Sequence, residues 1–225
     1  MATTSRRAAP RKRGRAPGRA AASMLDRYLP HFDAVLRQRV VVPVPPAQTW
    51  TLLERLDFAQ LLPPVGRAIE DMRAVPDFML RIARQALRVS PDARFLLQDA
   101  ARYGFILLEG KPGRHVLLGA VGKLWKSRIE LVPVGRDEFV AFDDPKYVKL
   151  LTGFLVKPFG TARSNFRHET RFRATDDTAR AHFQRTWEET EPYVTFFLRQ
   201  VMKTVVGVAK EHRATPIPPW RQPRS

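Results

Sequence analysis

Residues 161–174 constrain the fold more than any other segment. They read TARSNFRHETRFRA. The odd positions Arg163, Asn165, Arg167, Glu169, Arg171 and Arg173 hold the charge, whereas the even ones are Ala162, Ser164, Phe166, His168, Thr170, Phe172 and Ala174. Successive side chains of a strand point to opposite faces, so a period of two sends every charged group to one side and leaves His168 with the phenylalanines. The pattern predicts a half-buried antiparallel strand, wet on its arginine side. Thr175, Asp176 and Asp177 follow, with the side-chain oxygens that cap a helix. Ala179, Phe183, Trp187, Thr190, Val194, Phe197, Val201, Val205 and Val208 then recur at steps of three and four. That stripe predicts one face of a long helix. Pro192 falls inside it and cannot donate to the helix ladder, so a kink or two abutting helices is expected near Glu191.

Upstream, 36–44 (LRQRVVVPV) is valine-rich and predicts a strand, because β-branched side chains suit a pleated surface. Pro46 suits a helix start, where its missing N–H would lack a partner anyway. The helix predicted over 47–56 carries Trp50, Leu53 and Leu56 at a spacing of three. Residues 63–89 predict two helical pieces that part near Pro76. Residues 103–109 and 114–121 predict a hairpin turning at Gly113, and 138–142 a short strand. A second hairpin is expected to join 147–156 to 161–174 around Pro158, Phe159 and Gly160. Short helices, antiparallel hairpins and a long last helix, in that order, indicate an α+β fold.

Composition narrows the function classes. With 44% apolar residues in 225 the chain has enough for a real core, which excludes wholesale disorder. The longest apolar candidate for a membrane span, 40–53, is broken by Pro43, Pro45 and Pro46. There is no cysteine, which removes disulfide frameworks, thiolate metal sites and cysteine nucleophiles. The net charge of +17 is uneven: residues 1–22 hold seven cations (Arg6, Arg7, Arg11, Lys12, Arg13, Arg15 and Arg19) and no acid. Residues 213–225 add Arg213, Arg221 and Arg224, again without an acid, so the 22 acids and the remaining 29 cations leave the body near +7. The organisation expected is a disordered basic tail over 1–24, a folded domain over 25–212 and a second disordered basic tail over 213–225. No apolar export segment follows Arg6 and Arg7, so a cytoplasmic location is expected. Contact of residues 6–19 with nucleic acid or anionic membrane is the partner such a tail suggests, although no interleaved aromatics offer base stacking.

The run Gly160-Thr161, His168-Glu169-Thr170-Arg171, Asp176, Ala179-Arg180, Phe183, Trp187, Pro192 and Leu198-Arg199 resembles the C-terminal signature of bacterial SRPBCC (START-like, helix-grip) proteins. The start VVVPVPPAQTWTLLE and the segment GAVGKLW (119–125) are similar to the same group, and the likeness spans 36–212. It points to the uncharacterised polyketide cyclase or lipid-transport-like branch. The resemblance implies a helix-grip fold, a curved antiparallel sheet wrapped around the C-terminal helix and enclosing an apolar cavity. The superfamily includes lipid and sterol carriers, hormone binders and polyketide cyclases. Its catalytic residues are not shared between subgroups, so none transfers to this chain.

Residue chemistry leaves one candidate. The histidines at 31, 115, 168, 182 and 212 show no metal-binding spacing, and no P-loop, nucleophile-elbow or dinucleotide glycine motif occurs, so neither metal nor cofactor is expected. Asp143-Asp144 and Asp176-Asp177 suit turns and caps better than paired acid–base work. His168, on the face of Phe166 and Phe172, is the candidate polar or catalytic group. Phe154, Phe166, His168, Phe172, Phe197 and Val201 are the expected ligand-binding residues, with Phe183, Trp187 and Phe196 as further aromatics able to line a pocket or pack a core. The expected function is binding of a hydrophobic, lipid-like or polyketide-like small molecule in an internal cavity. The alternatives are a cyclase or dehydratase acting on a bound carbonyl compound, and tethering through the basic tail.

Overall fold

The computed structural model describes residues 23–61, 96–126 and 130–214. The helical pieces expected over 63–89 lie outside these residues, as do 1–22 and 215–225 of the tails expected over 1–24 and 213–225; Ser23 and Met24 instead open a short turn, and Arg213 and Ala214 belong to the last helix. The elements are β1 (Ala34–Val42), α1 (Pro46–Arg55), β2 (Ile106–Lys111), β3 (His115–Lys123), β4 (Glu130–Val132), α2 (Arg136–Ala141), β5 (Val148–Pro158), β6 (Ser164–Ala174) and α3 (Asp177–Ala214). The six strands form one antiparallel sheet in the order β1-β6-β5-β3-β2, and β4 pairs with β3 beside this path. The long α3 lies against β1, β6 and β5 and touches α1. This is the helix-grip α+β arrangement that the resemblance implies.

Local chemistry explains most boundaries. Gly113 and Gly160 turn the two hairpins at φ of +76° and +71°, a region that costs a side chain but not glycine. Asp176 Oδ1 accepts from the Ala179 amide at 2.6 Å and so starts α3. The helix then runs unbroken for 38 residues, through Pro192, so there are no abutting helices. The carbonyl of Glu188, four residues before Pro192, loses its usual amide partner. Two residues before the proline, Thr190 Oγ1 donates to the Thr186 carbonyl at 2.9 Å.

The short strand expected over 138–142 is instead α2. An apolar run this short does not distinguish strand from helix, and the flanks decide. The Gly135 amide donates to Glu138 Oε2 at 2.6 Å, and the Lys149 ammonium donates to the Val140 and Phe142 carbonyls at 2.9 and 3.2 Å. Each helix end thereby gains a side-chain partner. Phe139 is fully buried while its neighbour Val140 faces out, so α2 sits on the sheet by one anchor.

The outer face is also covered over part of its area, so the arginine side of β6 stays wet at Arg163 and Arg167 but is buried at Glu169 and Arg171. A turn at Met24–Arg27 and α2 lie on the outer face, where Leu25, Tyr28, Leu29 and Phe139 pack on Leu108, Leu117, Val121 and Leu151. Gly153 makes this approach possible: a Cβ there would stand 2.7 Å from Leu117 Cδ2. Arg171 and Glu169 are therefore buried although their side of β6 carries the charge. Arg171 bonds Asp26 Oδ1 at 2.7 Å, the Leu29 carbonyl at 2.8 Å and Glu169 Oε1 at 2.8 Å, with its guanidinium 4.7 Å from the centre of the Phe32 ring. A planar guanidinium with several fixed donors can tie a chain segment to a sheet in this way.

Candidate functional site

The inner face, under α1 and α3, holds two separate apolar clusters. The first joins Val42, Phe154, Val156 and Phe166 to Trp50 and Leu53 of α1 and to Val201, Met202 and Val205 of α3. The second joins Val148, Phe172 and Ala174 to Ala179 and Phe183, with Trp187 packed alongside. Phe166 and Phe172 belong to different clusters, and the inner positions of β6 between them are His168 and Thr170. The strand register brings Thr152 of β5 opposite Thr170. A narrow polar belt thus separates two apolar zones.

Within the belt His168 is 3% exposed. Its Nε2 lies 2.9 Å from Thr152 Oγ1 and 3.0 Å from Thr170 Oγ1, and the two hydroxyls are 2.8 Å apart. The Phe154 ring stands 4.8 Å away, centre to centre. The opposite ring nitrogen, Nδ1, is buried without a hydrogen-bond partner. An unmatched buried polar atom costs roughly 1–3 kcal/mol, so it calls for an explanation. Burial alone pushes the His168 pKa down to about 3, because no carboxylate is near enough to offset the desolvation of an imidazolium. The ring is therefore neutral at physiological pH. Nδ1 donates if Nε2 accepts from the threonines, and accepts if Nε2 donates to them.

Two features of the belt suit it to a ligand. Thr152 and Leu150, inner-face residues of the central strand β5, are only partly buried, as are Gln38 and Val40 of β1, so this face is not closed over completely. The inner positions of β1, β3, β5 and β6 also carry no charged residue, since the register puts Leu36, Gln38, Val40, Leu118 and Ala120 there beside those already named. Such a surface favours neutral molecules, because a buried ion without a counter-charge loses hydration and gains nothing in return.

Of the six expected ligand-binding residues, Phe154, Phe166 and Val201 share the first cluster, Phe197 packs at its margin, Phe172 lies in the second, and His168 stands between. The rings of Phe183 and Trp187 pack tilted against Phe172 at 5.2 and 4.6 Å, whereas Phe196 is 55% exposed and faces away. The helical stripe skipped Phe196, and that was the available signal. Thr152 and Thr170 were not singled out from the sequence. Thr170 was detectable two residues beyond His168, but Thr152 needs the pairing of β5 with β6. The other histidines do not converge on the belt: His115 bonds Glu109 at 3.1 Å on the outer face, and His182 stacks on Trp125. Among the described residues no group of three or more potential metal ligands occurs, and no helix is long and apolar enough to cross a membrane.

Comparison with solved structures finds several similar chains. An aromatase/cyclase, Zhui, from Streptomyces sp. R1128 is 13% identical with a TM-score of 0.35, over 81% of this chain and 96% of that one. Norcoclaurine synthase from Thalictrum flavum, in complex with dopamine and hydroxybenzaldehyde, is 11% identical with a TM-score of 0.31, over 80% and 87%. A protein from Deinococcus radiodurans is 15% identical with a TM-score of 0.31, over 70% and 98%. No family model and no curated protein matches the sequence.

Proposed function

We propose that the chain binds a neutral, largely apolar small molecule between the inner face of the sheet and α3, with one oxygen of the ligand held by His168. The observation that carries this reading is the partnerless Nδ1 of a neutral, buried histidine in a polar belt between two apolar clusters. A ketone, phenol or alcohol oxygen satisfies Nδ1 in one or other tautomer, and the flanking Phe154, Phe166 and Phe172 cover the apolar remainder. Burial of about 400 Å² of apolar ligand surface contributes about 10 kcal/mol gross. The costs of association bring this toward micromolar affinity.

A cyclase or dehydratase in which His168 moves a proton is the less favoured alternative, for a physical reason. A base whose conjugate acid has a pKa near 3 is protonated too rarely near neutral pH to carry much general acid–base catalysis. Holding an oxygen requires no protonation.

The test is displacement of a hydrophobic fluorophore from the full-length protein by two ligands of equal size, one a hydrocarbon and one its ketone. The native protein is expected to prefer the ketone about fivefold, the worth of one hydrogen bond of about 1 kcal/mol. His168→Leu should lose the preference and still bind the hydrocarbon. Absence of any saturable site, or equal loss of both ligands, overturns the reading.

A further inference from the structure

The two ends of the sheet differ in charge: one mixes acids with Lys146, Arg173 and Arg180, whereas the segments that build the other hold cations and no acid. Asp33, Asp143, Asp144, Asp176 and Asp177 gather where β1 and β5 begin and β6 ends. At the other end the β2–β3 turn supplies Lys111 and Arg114, and the β5–β6 hairpin supplies Lys157 and Arg163. Arg39 and Arg167 join them on the outer face, directly opposite each other in register. All six side chains are exposed, and none has a carboxylate partner among the described residues. Residues 38–44, 111–116 and 155–167, which build this end, contain no acid. Like charges directly across a strand pair destabilise it, and Arg39 is relieved only by donating to Asn165 Oδ1 at 3.0 Å.

Apolar groups accompany the cations. The hairpin tip presents Phe159, 38% exposed, with the Arg163 guanidinium 5.0 Å from its ring centre, and Val41 is exposed on the adjoining strand. The tip is closed by a bond from the Phe159 amide to the Arg163 carbonyl at 2.9 Å. We propose that this end of the sheet docks on anionic lipid bilayers, with Phe159 at headgroup depth and Arg39, Lys111, Arg114, Lys157, Arg163 and Arg167 facing the lipid phosphates. Charge complementarity selects an anionic partner. A single aromatic at a projecting tip, without a row of stacking rings on the sheet, favours a membrane over single-stranded nucleic acid. The surface lies at the hairpin tips and the exposed part of the outer side, away from the inner face, and does not depend on the ligand reading above.

The experiment is co-sedimentation of the full-length protein with phosphatidylcholine vesicles, with or without about a third phosphatidylserine, at two salt concentrations. Anionic vesicles should bind the protein and zwitterionic ones should not. Each cation near such a surface contributes about a fivefold increase in partitioning, so Arg39→Gln, Arg163→Gln and Arg167→Gln together should weaken binding about a hundredfold. Phe159→Ser should weaken it about tenfold through lost apolar burial alone. Lys146→Gln with Arg185→Gln, outside the patch, should leave binding unchanged and so control for the loss of net charge alone. The proposal is overturned if the triple variant binds like the native protein, or if Phe159→Ser has no effect while an oligonucleotide competes for the same arginines.

Discussion

His168 predicts a specific dependence of stability on pH. An unfolded chain gives histidine its ordinary pKa of 6.5, whereas burial lowers the native value to about 3. Between these values the unfolded state takes up a proton that the native state does not, so acid favours unfolding. The loss begins below pH 6.5 and is complete near pH 3. One proton is worth about 1.4 kcal/mol per pH unit, so moving from pH 7 to pH 4.5 should remove about 2.5 kcal/mol through this residue. Carboxylates titrate in the same range and must be subtracted. The assay is therefore urea unfolding of the native protein and of His168→Leu at both pH values, and the quantity of interest is the difference between their two losses. A difference of about 2.5 kcal/mol is expected. Equal losses would mean that the histidine is hydrated in the folded chain, which would remove the physical basis of the orphaned nitrogen as well.

Two further predictions concern the outer face. Arg171→Leu leaves Glu169 buried with only the Arg37 contact at 3.2 Å, and should cost about 3 kcal/mol in urea unfolding. The double change Arg171→Leu with Glu169→Leu should recover most of that loss, and failure to recover would show that the clamp on Leu29 matters more than the charge pair. Gly153→Ala places a methyl 2.7 Å from the fully buried Leu117, and should cost about 1–3 kcal/mol by overpacking. An unchanged thermal midpoint would show that Leu117 and Leu25 can shift at no cost.

The sequence by itself determined the alternation of β6, the apolar stripe of α3, the cap at Asp176, both hairpin turns and the α+β order. These follow from side-chain period and from local hydrogen bonding, which need only neighbours along the chain. It also placed His168 beside Phe166 and Phe172, because all three share one parity on one strand. The tertiary structure decided what each face meets. Periodicity separates two sides of a strand but does not say which is wet, so the buried Arg171 and Glu169 were legible only once the Met24–Arg27 turn was seen lying over them. The 138–142 segment became a helix because Lys149, from another element, caps its carbonyls. Thr152 reaches His168 through the β5–β6 register, a pairing between separate strands that the local pattern does not specify. The partnerless nitrogen likewise depends on the whole fold, since burial and the lack of a partner are properties of everything packed around it.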